Sequence, residues 1–169
     1  ISTVEVIAKK NKCSSIKISK SDAERSKFWA GRKAAFPACA ELAPDYMCMD
    51  GSIPRGKLAE VLKEIQKLSD KYDLPVANAF HAGDGNLHPL IMFNANDPEQ
   101  LKKTEEFGAE ILKYCVKVGG ALTGEHGVGI EKRELMCEAF NDTDIQQQLK
   151  IKIALDPNSL LNPGKVYPI

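Results

Sequence analysis

Residues 76–93 read VANAFHAGDGNLHPLIMF: two β-prone runs, Val76 to His81 and Leu87 to Phe93, around an Ala-Gly-Asp-Gly-Asn loop. Branched and aromatic residues bounded by glycine and aspartate predict a hairpin. His81 and His88 bracket its loop. Paired across the ladder, they project from one face. Directly opposed residues hold their Cβ atoms about 4.5–5.5 Å apart, so two such imidazoles can share one metal ion. The loop glycines allow positive φ or the close approach of backbone to a ligand. Pro89 has no N–H to give to a ladder, which predicts an edge strand or a bulge at that point.

Downstream of the hairpin, Asp97 caps a helix with Pro98 at its first position and Gln100 completing a box. Leu101, Ile111, Leu112, Cys115 and Val118 form its inner side, and Gly119-Gly120 end it. A second glycine-rich loop, Ala121 to Gly129, holds Gly124-Glu125-His126-Gly127. Helices are expected from about Ile130 to Phe140 and from Asp142 to Leu155, before a tail containing Asn162-Pro163-Gly164-Lys165.

Upstream, Pro54 opens a helix whose Leu58, Val61, Leu62, Ile65 and Leu68 make one apolar stripe at helical spacing. Tyr46 to Asp50 reads as a short strand, with Asp50-Gly51 beginning a turn. Ser21 and Glu24 have the spacing of a capping box. The helix they open carries Phe28, Trp29 and Arg32 and stops before Pro37, with Trp29 expected as a core anchor. Ile16 and Ile18 alternate with polar residues as in a strand. Val4, Ile7 and Ala8 suit a helix. Strands and helices mixed in this order, with a central hairpin, predict one α+β domain over 1–169 with a mainly antiparallel sheet covered by helices.

Composition narrows the function. In 169 residues, 23 Lys plus Arg balance 23 Asp plus Glu, so there is no strong field to favour nucleic acid or an acidic membrane. No apolar run reaches the roughly 18 residues of a membrane span. The five cysteines include no Cys-x-x-Cys pair, which favours reduced thiols, a cytoplasmic setting and no iron–sulfur cluster held by this chain. Ile1 looks like an internal residue of a longer protein.

All 3 histidines of the chain lie in or beside the two glycine-rich loops: His81 and His88 bracket the first, and His126 is in the second. The plain alternative for His81 and His88 is two turn-flanking polar residues; their clustering with Glu125 favours metal ligation by His81, His88 and Glu125. His126 is next to Glu125, and adjacent strand residues do not face the same point, so His126 suits a base better than a ligand. Asp84 has turn chemistry or a supporting role behind a ligand, and Asn86 orients a histidine or shapes the turn. Gly124, Gly127 and Gly129 do not have Rossmann spacing, and no Walker A pattern occurs. A metal-dependent hydrolase and a metal-stabilised binding module fit the same ligands.

These residues resemble a known family. His81 to Pro89, Gly124 to Gly129 and Asp156 to Lys165 are similar to the C-terminal domain of FAD-linked oxidases of the vanillyl-alcohol oxidase type. Within it, Pro44 to Pro54, Ala77 to Pro89 and Leu160 to Lys165 resemble the FAD-binding subunits of bacterial glycolate oxidases, with D-lactate and D-2-hydroxyglutarate dehydrogenases as cousins. The resemblance implies a ferredoxin-like substrate domain and a separate N-terminal domain, absent from this chain, that binds most of the FAD. It implies His81, His88 and Glu125 as ligands of a divalent metal such as zinc or manganese, His126 as the base, and Arg32 on the substrate carboxylate. Asn162 becomes a candidate for cofactor binding. Additional subunits, an iron–sulfur protein and a second flavoprotein-like one, are implied partners and would give any membrane association. Cys48 and Leu90 stand where hydroxyglutarate-type relatives hold a distal carboxylate with lysine and asparagine, and Phe36 replaces a hydroxyl residue. The resemblance therefore points to glycolate or D-lactate oxidised to the 2-oxo acid.

Overall fold

The computed structural model describes residues 1–168, in two compact units, Ile1–Ala38 and a second beginning at Cys39. The first contains helices α1 (Ser2–Lys10), α2 (Asp22–Lys33) and the short α3 (Ala35–Ala38). Ser21 caps α2 by accepting from the Glu24 amide at 3.2 Å, and the Glu24 carboxylate accepts from the Lys20 amide at 2.6 Å. Neither α1 nor α2 buries a residue. The strand expected at Ile16–Ile18 is irregular chain, because two alternating residues find no partner strand to complete a ladder. Trp29 is 53% exposed rather than a core anchor, and the Arg32 guanidinium lies 5.4 Å from its ring centroid.

The second unit is built on one antiparallel sheet of β1 (Asp45–Cys48), β2 (Gly51–Ser52), β3 (Val76–His81) and β4 (Asn86–Phe93). Helix α4 (Leu58–Tyr72) precedes the β3–β4 hairpin and α5 (Pro98–Lys117) follows it; α6 (Met136–Ala139) and α7 (Asp142–Leu155) come last. Strand β4 is central, flanked by β3 on one side and by β1 and β2 on the other. Beyond β2, Ser52 and Ala121 exchange both backbone hydrogen bonds, at 3.0 and 3.1 Å, where a further strand is reduced to a single bridge. Strand, helix, hairpin, helix and bridge follow the split βαβ order of ferredoxin-like folds.

The central place of β4 corrects the expectation for Pro89. Cys48 pairs with Leu90 and Gly51 with Leu87, so one continuous register passes Met49 opposite Pro89 and Asp50 opposite His88. The Met49 amide donates to the Pro89 carbonyl at 3.0 Å, but Pro89 has no N–H to return. The ladder breaks there and divides β1 from β2. An inner strand thus tolerates a proline by splitting its neighbour.

Alternation along β4 sorts two faces. Leu87, Ile91 and Phe93 join Met49 and Ile53, the α4 residues Val61, Ile65 and Leu68, and the α5 residues Phe107, Ile111, Leu112 and Cys115 in one core. Asn86, His88, Leu90 and Met92 point to the other face. Asp97 caps α5 by accepting from the Glu99 and Gln100 amides at 2.9 and 3.3 Å. Helix α7 spans the expected residues, whereas Ile130–Phe140 forms only a 3-10 turn and the four-residue α6.

Candidate functional site

The hairpin register is Ala79 opposite His88 and His81 opposite Asn86, two residues from the direct His81–His88 pairing expected. A shift of two preserves the face, because strand side chains alternate with period 2. His81 and His88 therefore project together, their rings edge to face with centroids 5.2 Å apart. The loop between them folds on itself. The Asp84 carboxylate accepts from the Asn86 amide at 3.0 Å, which is turn chemistry. Asn86 is buried, and its side-chain Nδ2 lies 3.4 Å from His88 Nε2.

Glu125 and His126 arrive from the loop after α5. Here the chain makes a turn rather than a strand, so both adjacent side chains reach one point. Glu125 Oε1 is 2.8 Å from His88 Nε2, 3.8 Å from His81 Nε2 and 3.9 Å from His126 Nε2. The His88 and His126 rings stack at 5.2 Å between centroids. Gly124 allows the close approach: a Cβ at this position would overlap the Asn86 carboxamide. Gly127, with φ of +87°, turns the chain away after His126.

Asp50 lies beneath this turn, fully buried, and the sequence reading missed it as the start of a simple turn. It accepts from Thr123 Oγ1 at 2.6 Å, from the amides of Gly124 and Glu125 at 3.1 Å and of His126 at 2.9 Å, and from Lys132 Nζ at 3.1 Å. Burial works against its charge, yet the Thr123 hydroxyl, the His126 and Glu125 amides and the Lys132 ammonium outweigh it and hold the carboxyl well below the usual carboxylate range. The sequence clue was a charged residue closing a short strand, between Met49 and Gly51.

Donor atoms of Asp50, His88, Glu125 and His126 all lie within 4.8 Å of one another, as do those of Cys48, His88 and His126. Burial, then the charges of Asp50 and Glu131, push the Cys48 thiol up to about 11. Imidazole nitrogens around a carboxylate oxygen are the donor chemistry that zinc and its first-row neighbours take, so the residues fit such an ion. Arg32 belongs to the first unit. Asn162 lies in the tail, where its side-chain oxygen accepts from Lys165 Nζ at 3.2 Å and Arg133 binds the Gly164 carbonyl at 2.8 Å.

Residues 1–166 match the family described as FAD linked oxidases, C-terminal domain. The chain belongs to that family. It is 54% identical over 153 residues to the glycolate oxidase subunit GlcD of Escherichia coli K12, covering 90% of this chain and 31% of that protein. It is 34% identical over 167 residues to the mitochondrial D-lactate dehydrogenase [cytochrome] of Arabidopsis thaliana, covering 98% of this chain and 30% of that one. The chain thus spans about a third of the length of these curated relatives. Among solved structures, 4-ethylphenol oxidase from Gulosibacter chungangensis in complex with isoeugenol shares the fold, with a TM-score of 0.58, 23% identity, and coverage of 78% of this chain and 27% of that one. Membership in an FAD-linked oxidase family favours flavin chemistry over the hydrolase reading. No helix among the described residues is long and apolar enough to cross a membrane.

Proposed function

We propose that this chain is the substrate-side part of a flavoprotein that oxidises a short 2-hydroxy monocarboxylate, glycolate or D-lactate, to its 2-oxo acid. The observation that carries the reading is the convergence of three imidazole Nε2 atoms on one Glu125 oxygen in a member of an FAD-linked oxidase family. The names of the glycolate and D-lactate relatives support the substrate class.

His81, His88 and Glu125 would hold a divalent metal, zinc or manganese, which when bound supplies a Lewis acid that lowers the pKa of the substrate hydroxyl. FAD, held by the N-terminal part of the longer protein with Asn162 contributing from this chain, supplies the two-electron acceptor. His126 Nε2 takes the hydroxyl proton as general base. Arg32 pairs with the substrate carboxylate through a bidentate guanidinium contact. Cys48 and Leu90, paired across β1 and β4 on the His88 side of the sheet, offer no cation to a second carboxylate, which sets dicarboxylates aside. An iron–sulfur subunit and a further flavoprotein-like subunit would take the electrons onward, with any membrane attachment through them.

The test is single-turnover reduction of the full-length flavoprotein under anaerobic conditions. Glycolate or D-lactate should bleach the flavin, and 2-hydroxyglutarate should do so far more slowly. A flavin untouched by all short 2-hydroxy acids would refute the reading.

A further inference from the structure

Glu125 and His126 sit on a turn, and a turn alone does not hold two functional groups to the tolerance of about 0.5 Å that a working site needs. What fixes this one is below it. Three successive amides, of Gly124, Glu125 and His126, all donate to the Asp50 carboxylate, forming an anion-binding nest of backbone N–H groups. Thr123 Oγ1 donates to the same carboxylate at 2.6 Å and accepts from the Gly127 amide at 2.8 Å, so one hydroxyl ties both ends of the turn. Lys132 Nζ bonds Asp50 twice, at the carboxylate and at the backbone carbonyl, and its side chain is 3% exposed.

Burying an ion pair is a poor route to stability, since well-packed apolar residues often serve as well or better. A carboxylate with five donors, a hydroxyl, three backbone amides and an ammonium, is instead suited to specifying a geometry. Asp50 also lies opposite His88 in the sheet register, and its carbonyl accepts from the Gly124 amide at 3.1 Å. One residue therefore ties the turn carrying Glu125 and His126 to the strand carrying His88. Both Asp50 oxygens are already engaged by donors of this chain, which leaves the carboxylate placed to orient others rather than to ligate.

We propose that Asp50, Thr123 and Lys132 are positioning residues that hold Glu125 and His126 in register with His88, so that metal affinity and proton transfer depend on three groups that touch neither metal nor substrate. The proposal rests on the metal site and base put forward above. In other proteins, loss of a partner that orients a ligand costs ~10–100-fold in metal affinity or activity.

The experiment uses the full-length flavoprotein with Thr123→Val, Thr123→Ser and Asp50→Asn. Zinc chloride affinity is measured by calorimetry on metal-stripped protein. Amide exchange of the peptide spanning 121–128 is followed by mass spectrometry, and flavin reduction is measured across substrate concentrations. Thr123→Val and Asp50→Asn should weaken zinc ~10–100-fold, speed exchange in that peptide alone, and slow the saturating rate with little change in the substrate concentration for half-saturation. Thr123→Ser, which keeps the hydroxyl, should match the parent. Folded Thr123→Val with parental exchange, zinc affinity and rate overturns the proposal, and it decides the matter even where Asp50→Asn fails to fold. A parent that binds no zinc removes the metal reading but not this one, because unchanged or accelerated exchange in Thr123→Val still decides whether the anchor orders the turn.

Discussion

Gly124 is the point where the turn and the hairpin touch, and Gly124→Ala tests that contact. The added Cβ would fall within the Asn86 side chain, against its oxygen, carbon and nitrogen at once. Asn86 is 8% exposed and packed beside His88, so it has little room to yield. Forcing a methyl into a filled site of this kind costs about 1–3 kcal/mol. For a chain of this size each kcal/mol lowers Tm by about 2–4 °C, so a fall of about 2–12 °C is expected. If the turn yields instead of Asn86, Glu125 and His126 move with it, and a displacement of about 1 Å costs on the order of 10²-fold in rate. Gly56 is the control: a Cβ there meets nothing within 4 Å and φ is not positive. Gly56→Ala should therefore leave the rate unchanged and hold or raise stability by about 0.4–1 kcal/mol. Calorimetric unfolding and single-turnover flavin reduction read the two consequences. Gly124→Ala that unfolds and reduces flavin like Gly56→Ala would refute the packing argument.

Three more expectations are read from the same geometry. His126→Ala should slow flavin reduction by ~10²–10⁴-fold with metal content largely kept, whereas His81→Ala should lower both; metal analysis beside stopped flow separates them. Burial pushes the Cys115 thiol up to about 12 and, with the charges of Asp50 and Glu131, the Cys48 thiol up to about 11, so both should resist disulfide reagents near neutral pH while exposed Cys13 and Cys137 react first; peptide mapping after brief labelling checks the order. The folded-state pKa of Asp50 is depressed, so its contribution to stability is complete above its unfolded value of ~3.9 and is lost as pH falls toward the folded one. Asp50→Asn should flatten the acid limb of the stability curve below pH ~3.9, and an acid limb identical to the parent's would contradict that assignment.

The hairpin, the caps of α2 and α5, the α4 stripe and the span of α7 were legible because each rests on local chemistry: periodicity, a capping side chain, a glycine stop. The face shared by His81 and His88 was legible too, since period-2 alternation survives an error of two in register. The register itself, the break opposite Pro89 and the burial of Asp50 were not legible. They depend on which strand pairs with β4 and on a loop more than 70 residues away, as the contact of Asp50 with Glu125 shows. Trp29 misled because its size suggested a core anchor, whereas here it is 53% exposed with the Arg32 guanidinium over its ring. The convergence of His126 on Glu125 was obscured by treating neighbours as strand residues when the chain makes a turn.

His81, His88 and Glu125 are proposed to hold a metal, and that metal is proposed to serve in oxidising a 2-hydroxy acid. Anaerobic stopped-flow reduction of the full-length flavoprotein, run before chelation, after it, and after adding back zinc or manganese, tests both together. Rapid reduction by glycolate or D-lactate that disappears on chelation and returns with metal is the predicted result. Reduction at the same rate in the chelated protein and in His81→Ala would contradict it.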